Sequence, residues 1–161
     1  MSDRKAEKKP PDPPPPQRVA HYRLDALVAR GGEGVVYRAT DTTLDRTVAL
    51  KIIDDPASAE GLIAEARHVS LLSHPCIAGV HQAGIDPKSG FAFIALEWVQ
   101  GPTLRKRLRD GPLGIAELCR FGQRIASAVA HAHDKGLIHG DLKADNVVIA
   151  GAGASVEGLA F

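Results

Sequence analysis

Residues 139–146 read His139-Gly140-Asp141-Leu142-Lys143-Ala144-Asp145-Asn146, and this octapeptide decides the fold. It packs three complementary groups into one short stretch. Asp141 offers a carboxylate that accepts a proton from a hydroxyl. Lys143 offers a positive charge that neutralises a phosphoryl group in transit. Asn146 offers an amide oxygen for a hard cation such as magnesium. His139 reads as a structural loop histidine rather than a base.

The apolar run that follows is Val147-Val148-Ile149. Upstream, residues 114–136 are amphipathic, predicting a long helix with Leu118, Gly122, Ile125 and Val129 on its buried stripe and Gly136 at its end. Residues 103–111, "TLRKRLRDG", predict a short basic helix. Further upstream, residues 22–32, 34–41, 46–54, 76–86 and 90–99 predict five strands. Between the third and fourth strands, residues 58–74 predict a helix with Leu62, Ala66, Val69 and Leu72 on one face. Strands first and helices afterwards suggest an α+β fold in two lobes.

Two features of the strand region concern chemistry. Gly31, Gly32 and Gly34 stand in a turn between strands, where glycine lets backbone amides approach phosphate oxygens without a Cβ clash. A simple hairpin turn has the same composition. Lys51 ends the apolar strand "TVALK". Glu65 falls between Val69 and Leu72 on the helical face, and a carboxylate directed at a core needs a partner. Lys51 is the expected one; a rim glutamate is the alternative.

The remaining sequence sets bounds. The chain has 161 residues, 44% of them apolar, which suits one domain with a core. A net charge of +1 points to neither a nucleic-acid nor a membrane partner. The two cysteines, Cys76 and Cys119, lie in ordinary apolar surroundings, which fits a reducing, cytoplasmic compartment. No apolar run approaches a membrane span, and no His/Cys cluster has zinc spacing. Residues 1–18 form a charged and then proline-rich stretch expected to be a disordered tail.

Taken in order, the glycine turn, "VALK", the helix with Glu65, "SHP", "EWVQGPTL" and "HGDLKADNV" resemble the eukaryotic-like Ser/Thr protein kinases in their bacterial form. The resemblance runs from about residue 20 to residue 150. It implies a kinase-like fold: a five-stranded antiparallel N-lobe with one helix, then the first helices and catalytic loop of an incomplete C-lobe. The implied organisation is a tail over 1–18, N-lobe and hinge over 19–99, and a partial C-lobe over 100–161. It implies ATP and magnesium as cofactors and a protein hydroxyl as acceptor. Val36 and Ala49 would cover the adenine, Val148 would support it, and Leu96 would be the gatekeeper. Glu97, Trp98 and Val99 would form the hinge. Lys51, held by Glu65, would contact the phosphates beneath Gly31, Gly32 and Gly34. Asp141 would be the base, Lys143 its companion and Asn146 a metal ligand.

The sequence also departs from that family. Ala29 stands for the first loop glycine. Gly140 stands for an arginine that reads a phosphate on the activation loop, so activation of that kind is not expected. After Asn146 the family needs a strand ending in aspartate-phenylalanine-glycine, whereas this chain reads "VEGLAF" with Glu157 as its last carboxylate. The strand end and its metal-binding aspartate are expected to be missing, and Glu157 to be misplaced as a substitute. The long helix, from about Ile115 to Lys135, is expected to expose its stripe and leave an apolar patch. Three readings stay open: an active kinase, a non-catalytic nucleotide-binding or interaction module, and an incomplete product.

Overall fold

The computed structural model describes residues 17–31, 34–53, 56–150 and 157–159. The proline-rich tail and Gly32 lie outside them. Among the described residues the order is β1 (Arg18–Val19), β2 (Tyr22–Gly31), β3 (Gly34–Asp41), β4 (Arg46–Ile53), α1 (Pro56–Val69), β5 (Val80–Ile85) and β6 (Ala92–Glu97). Then follow α2 (Leu104–Arg107), a 3-10 turn (Leu108–Asp110), α3 (Ile115–Asp134), β7 (Val147–Ile149) and β8 (Glu157–Leu159).

Strands β1–β6 form one antiparallel sheet in the order β1-β2-β3-β4-β6-β5. It has six strands where five were expected. The extra one, β1, is two residues long, too short for periodicity to reveal. It folds back through Ala20, whose φ is 52°, and its Val19 is fully buried.

Alternation in β3 and β4 sends Val35, Tyr37, Ala39, Val48, Leu50 and Ile52 to the inner face, where they pack with Val19, Tyr22, Phe93 and Ala95. Each such large side chain contributes about 1.5–3 kcal/mol by leaving water. The two ends of the sheet also meet. The Tyr22 hydroxyl donates to Gln82 Oε1 at 2.8 Å, and the Ala20 backbone amide is near enough to Asp86 to help Ser89 hold its carboxyl below the usual range. The sheet therefore curls until β2 and β5 touch. Asp86 is buried and accepts from Lys88 N, Ser89 N and Ser89 Oγ, so its desolvation is offset.

Helix α1 lies on the outer face through Ala59, Ile63 and Ala66, against Ile53, Ala92 and Ile94. Leu62 is half-buried beside them, Val69 is buried, and Leu72 is buried beyond the helix end. Glu65, expected to face inward, is exposed. At 100° per residue it sits about 95° from the middle of the buried stripe, outside the packing edge.

A second cluster joins the two halves of the molecule. Val69, Leu72, Cys76 and Ile77 pack against Ala128 and Ala132 of α3 and Val147 of β7. The buried line on α3 is Phe121, Ala128 and Ala132, rotated by about 70° from the predicted stripe. Ile125 and Val129 are half-covered, but Leu118 and Gly122 are exposed, because the upper half contacts α3 from one side only. Gly136 ends the helix as predicted. Its φ is 76°, its N–H donates to His133 O, and Leu137 N donates to Ala132 O, which is the Schellman arrangement. The basic helix is shorter than expected: α2 makes one turn, capped by the Thr103 side chain, and then tightens to 3-10.

The strand judged incomplete is present. β8 pairs antiparallel with β7, with Val147 opposite Leu159 and Ile149 opposite Glu157. The Glu157 side chain lies outside the described residues.

Candidate phosphoryl-transfer site

Strand register brings the upper candidates together. Val36 is directly opposite Lys51, which is opposite Ile94; one step along, Arg38, Ala49 and Leu96 form the next row. Residues two apart on a strand share a face. Val36, Ala49, Lys51 and Leu96 therefore lie on the outer, half-buried side of the sheet, opposite the inner core. Gly31 pairs with Gly34 at the end of the β2–β3 hairpin. Gly34 has φ 133°, and a Cβ there would overlap the Ile52 carbonyl oxygen, so only glycine fits.

The exposed Glu65 has no place in this row. Among ion pairs between described residues, none joins Glu65 to Lys51.

Past β6, the chain continues through Trp98 and Val99, both half-buried. Glu97 is tied back twice: its N–H donates to Gly79 O at 2.8 Å, and its carboxylate accepts from Gly79 N at 3.2 Å. The connection then runs against β7. Ile149 N donates to Pro102 O, Thr103 bridges Val148, and a Cβ on Gly101 would overlap the Ile149 carbonyl oxygen. Val148 is thus fixed next to the connection between the two halves.

Below, the 141–146 loop gathers its three groups. Lys143 Nζ donates to Asp141 Oδ2 at 2.6 Å. Asn146 Nδ2 donates to the Asp141 carbonyl oxygen at 2.8 Å and to its Oδ2 at 3.2 Å. Gly140, with φ 71°, turns the chain into the loop in a left-handed conformation that costs other residues strain. The Lys143 hydrogen bond, then that of Asn146 and the charge of His139, hold the Asp141 carboxyl below its usual range against some desolvation. Asp141 is therefore ionised at neutral pH. Because the Asn146 NH2 is committed to Asp141, its amide oxygen remains as the acceptor of that side chain.

The structure adds residues that sequence reasoning missed. Val28, 51% exposed, sits in a bulge just before the glycine turn; an apolar residue just before the turn was the available signal. Arg105 grips Asp145 with two nitrogens, and nothing in the local sequence announces that pair. Among the described residues, no cluster of three or more His, Cys, Asp or Glu side chains is arranged to hold a metal, and no helix is long and apolar enough to cross a membrane.

Comparison with known proteins bears on the family and the fold. Residues 22–156 match the family model described as the protein kinase domain. The chain is 36% identical over 134 residues to serine/threonine-protein kinase pkn3 of Myxococcus xanthus, covering 80% of this chain and 24% of that protein. It is 37% identical over 141 residues to PknA of Mycobacterium tuberculosis, covering 82% and 33%. It is 34% identical over 134 residues to PrkC of Bacillus subtilis, covering 80% and 20%. The chain thus spans a third or less of the length of these relatives. A solved structure described as "PpkA-294 apo form" superposes with a TM-score of 0.75 at 24% identity, covering 89% of this chain and 59% of that one, which bears on the fold alone.

Proposed function

The chain belongs to the protein kinase family, in its bacterial Ser/Thr form, and from that premise we propose that it carries the nucleotide roof and catalytic loop of an ATP-dependent phosphotransferase acting on protein hydroxyls. The observation that carries this reading is the hydrogen-bonded cluster of Asp141, Lys143 and Asn146. Val36, Ala49 and Leu96 enclose the adenine from above and Val148 from below. Glu97 and Val99 offer backbone groups to its edge, and Gly31, Gly32, Gly34 and Lys51 take the phosphates.

Asp141, already ionised, accepts the proton of the acceptor hydroxyl. Lys143, bonded to Asp141, places positive charge where the transferring group passes. Asn146 presents one hard oxygen, which fits magnesium only when phosphate oxygens complete its shell. When bound there, magnesium screens charge on the phosphoryl group. We place the protein in the cytoplasm, in keeping with its two free cysteines.

A second reading has its own support. Kinase chemistry requires the strand lysine and the helix glutamate to be paired, and Glu65 is turned out to solvent. The 161-residue chain is therefore expected to bind nucleotide weakly, with little dependence on magnesium, and to transfer no phosphate above background. Labelled-phosphate transfer from ATP to generic Ser/Thr substrates, run beside Asp141→Asn, tests this. Robust transfer that disappears in the variant restores full activity to this chain. Equal low signals in both support a nucleotide-binding module.

A further inference from the structure

We propose that Arg105 is a positioning residue that holds the 141–146 loop in its hydrogen-bonded form through Asp145; the inference rests on the reading of Asn146 as the metal-facing amide. Helix α2 and the residues just before it meet the loop and the strand after it at several points. Ile149 N donates to Pro102 O, Thr103 bridges Val148, and Arg105 N donates to Ala144 O at 2.9 Å. These are backbone contacts, which survive any side-chain change at position 105. Added to them is a side-chain grip. Arg105 Nη2 and Nε reach Asp145 Oδ2 at 3.1 and 3.2 Å, and Nε reaches Oδ1 at 3.4 Å.

The grip falls on a loop residue that has no other hydrogen bond among those of the described residues. Ala144 is held by its carbonyl, and Asn146 by its N–H to Lys143 O and its amide to Asp141. Asp145 lies between them and, among the hydrogen bonds of described residues, its side chain bonds only to Arg105. A planar guanidinium fixes the orientation of a carboxylate, which a point-charge ammonium does not. Fixing Asp145 removes slack from the peptide that carries Asn146, and so keeps the Asn146 amide on Asp141.

The pair is half-exposed, 55% at Arg105 and 49% at Asp145. Its loss therefore changes global stability little, and its effect is concentrated in the loop. That separation makes the idea testable without catalysis. In the full chain labelled with nitrogen-15, the side-chain amide of Asn146 reports its bonds to Asp141. Arg105→Ala is expected to shift those resonances and speed their exchange about three- to fivefold, while the unfolding midpoint moves by no more than about 4 °C. Arg105→Lys should fall between, Asp145→Asn should match Arg105→Ala, and the exchanged pair R105D/D145R should recover part of the protection.

Unchanged Asn146 signals in Arg105→Ala overturn the proposal. So does exchange that rises equally through α3, which would be general loosening. Manganese(II) with ADP, added to the wild type in large excess so that even a weakly held ion samples the site and broadens nearby signals, addresses the underlying reading separately. If the Asn146 signals do not broaden, the metal assignment falls, and the exchange data still decide whether Arg105 positions the loop.

Discussion

Gly101 shows how much can hang on one missing carbon. Its Cα lies against the Ile149 carbonyl, where any Cβ would overlap backbone that is itself bonded to Pro102. Neither partner can move without breaking the contact between the connection and β7. Gly101→Ala is expected to cost about 2–3 kcal/mol, as overpacking does, measured as a lowered denaturant midpoint. An alanine at Gly31, which has open space around it, should cost far less. Sequence reading grouped residues that are near in the chain: Asp141, Lys143 and Asn146 meet because the chain is short between them. It misjudged Glu65, whose direction depends on how α1 rolls on the sheet, a tertiary outcome that helical spacing leaves open by tens of degrees. It had no access to Arg105 and Asp145, 40 residues apart in the chain.

Two elements carry predictions of their own. The first is α3 with the connection that leads to β5. His74 Nδ1 accepts from Cys76 N, so the ring proton sits on Nε2, which faces Ser127 Oγ at 3.1 Å. The His131 ring is 5.5 Å away, and its buried Nε2 has no hydrogen-bond partner among the described residues. Burial, and then His131, lower the His74 pKa below its ordinary value of 6.5. The fold therefore favours the neutral ring, and the unfolded chain binds more protons in acid. This contribution is complete above pH 6.5 and is lost as pH falls through that value toward the lower folded one. Thermal unfolding followed between about pH 7.5 and 5.5 should show wild type losing stability and His74→Asn, which keeps an acceptor near Cys76 N, losing less.

The second element is the β7–β8 ribbon. Leu159 is opposite Val147, so β8 runs toward the end of β7 that joins Asn146, and the next residue in the chain is Ala160, outside the described residues. Ala160→Asp is expected to give ATP a larger thermal shift with magnesium than without, whereas the wild type shows equal shifts. Equal shifts in the variant as well would argue against Asn146 as half of a metal site. β8 escaped sequence reading because three residues with a glycine among them carry no usable alternation.

At the scale of the molecule, the inner sheet core and the joint cluster differ in how they are closed. The sheet core is sealed: Leu50 is fully buried, and Leu50→Ala should cost about 2–5 kcal/mol. Helix α3 is covered on one side, leaving Ile115 at 83%, Leu118 at 57% and, beyond its end, Ile138 at 80% exposure. The double variant I115K/L118K should therefore shift stability by less than about 0.5 kcal/mol while reducing self-association in sedimentation velocity. A lowered unfolding midpoint would show that these side chains pack in solution. The sequence pointed to an exposed stripe, and Leu118 and Gly122 are exposed, but Ile125 and Val129 are half-covered, because coverage is set by the 72–77 segment of the other half.

The meeting of β2 with β5 sets a timetable for the chain. Tyr22 and Gln82 are 60 residues apart, and the approach of Ala20 to Asp86 spans a similar interval, yet both complete the same sheet. Closing so wide a loop costs entropy before any contact repays it, so the sheet is a slow, all-or-none assembly. A growing polypeptide emerging N-terminus first makes its first strands early, but they wait for β5 before their inner face can seal. During synthesis the earliest residues are thus the ones held longest in an unfinished state, with Tyr22 and its neighbours open until residues beyond Asp86 have appeared.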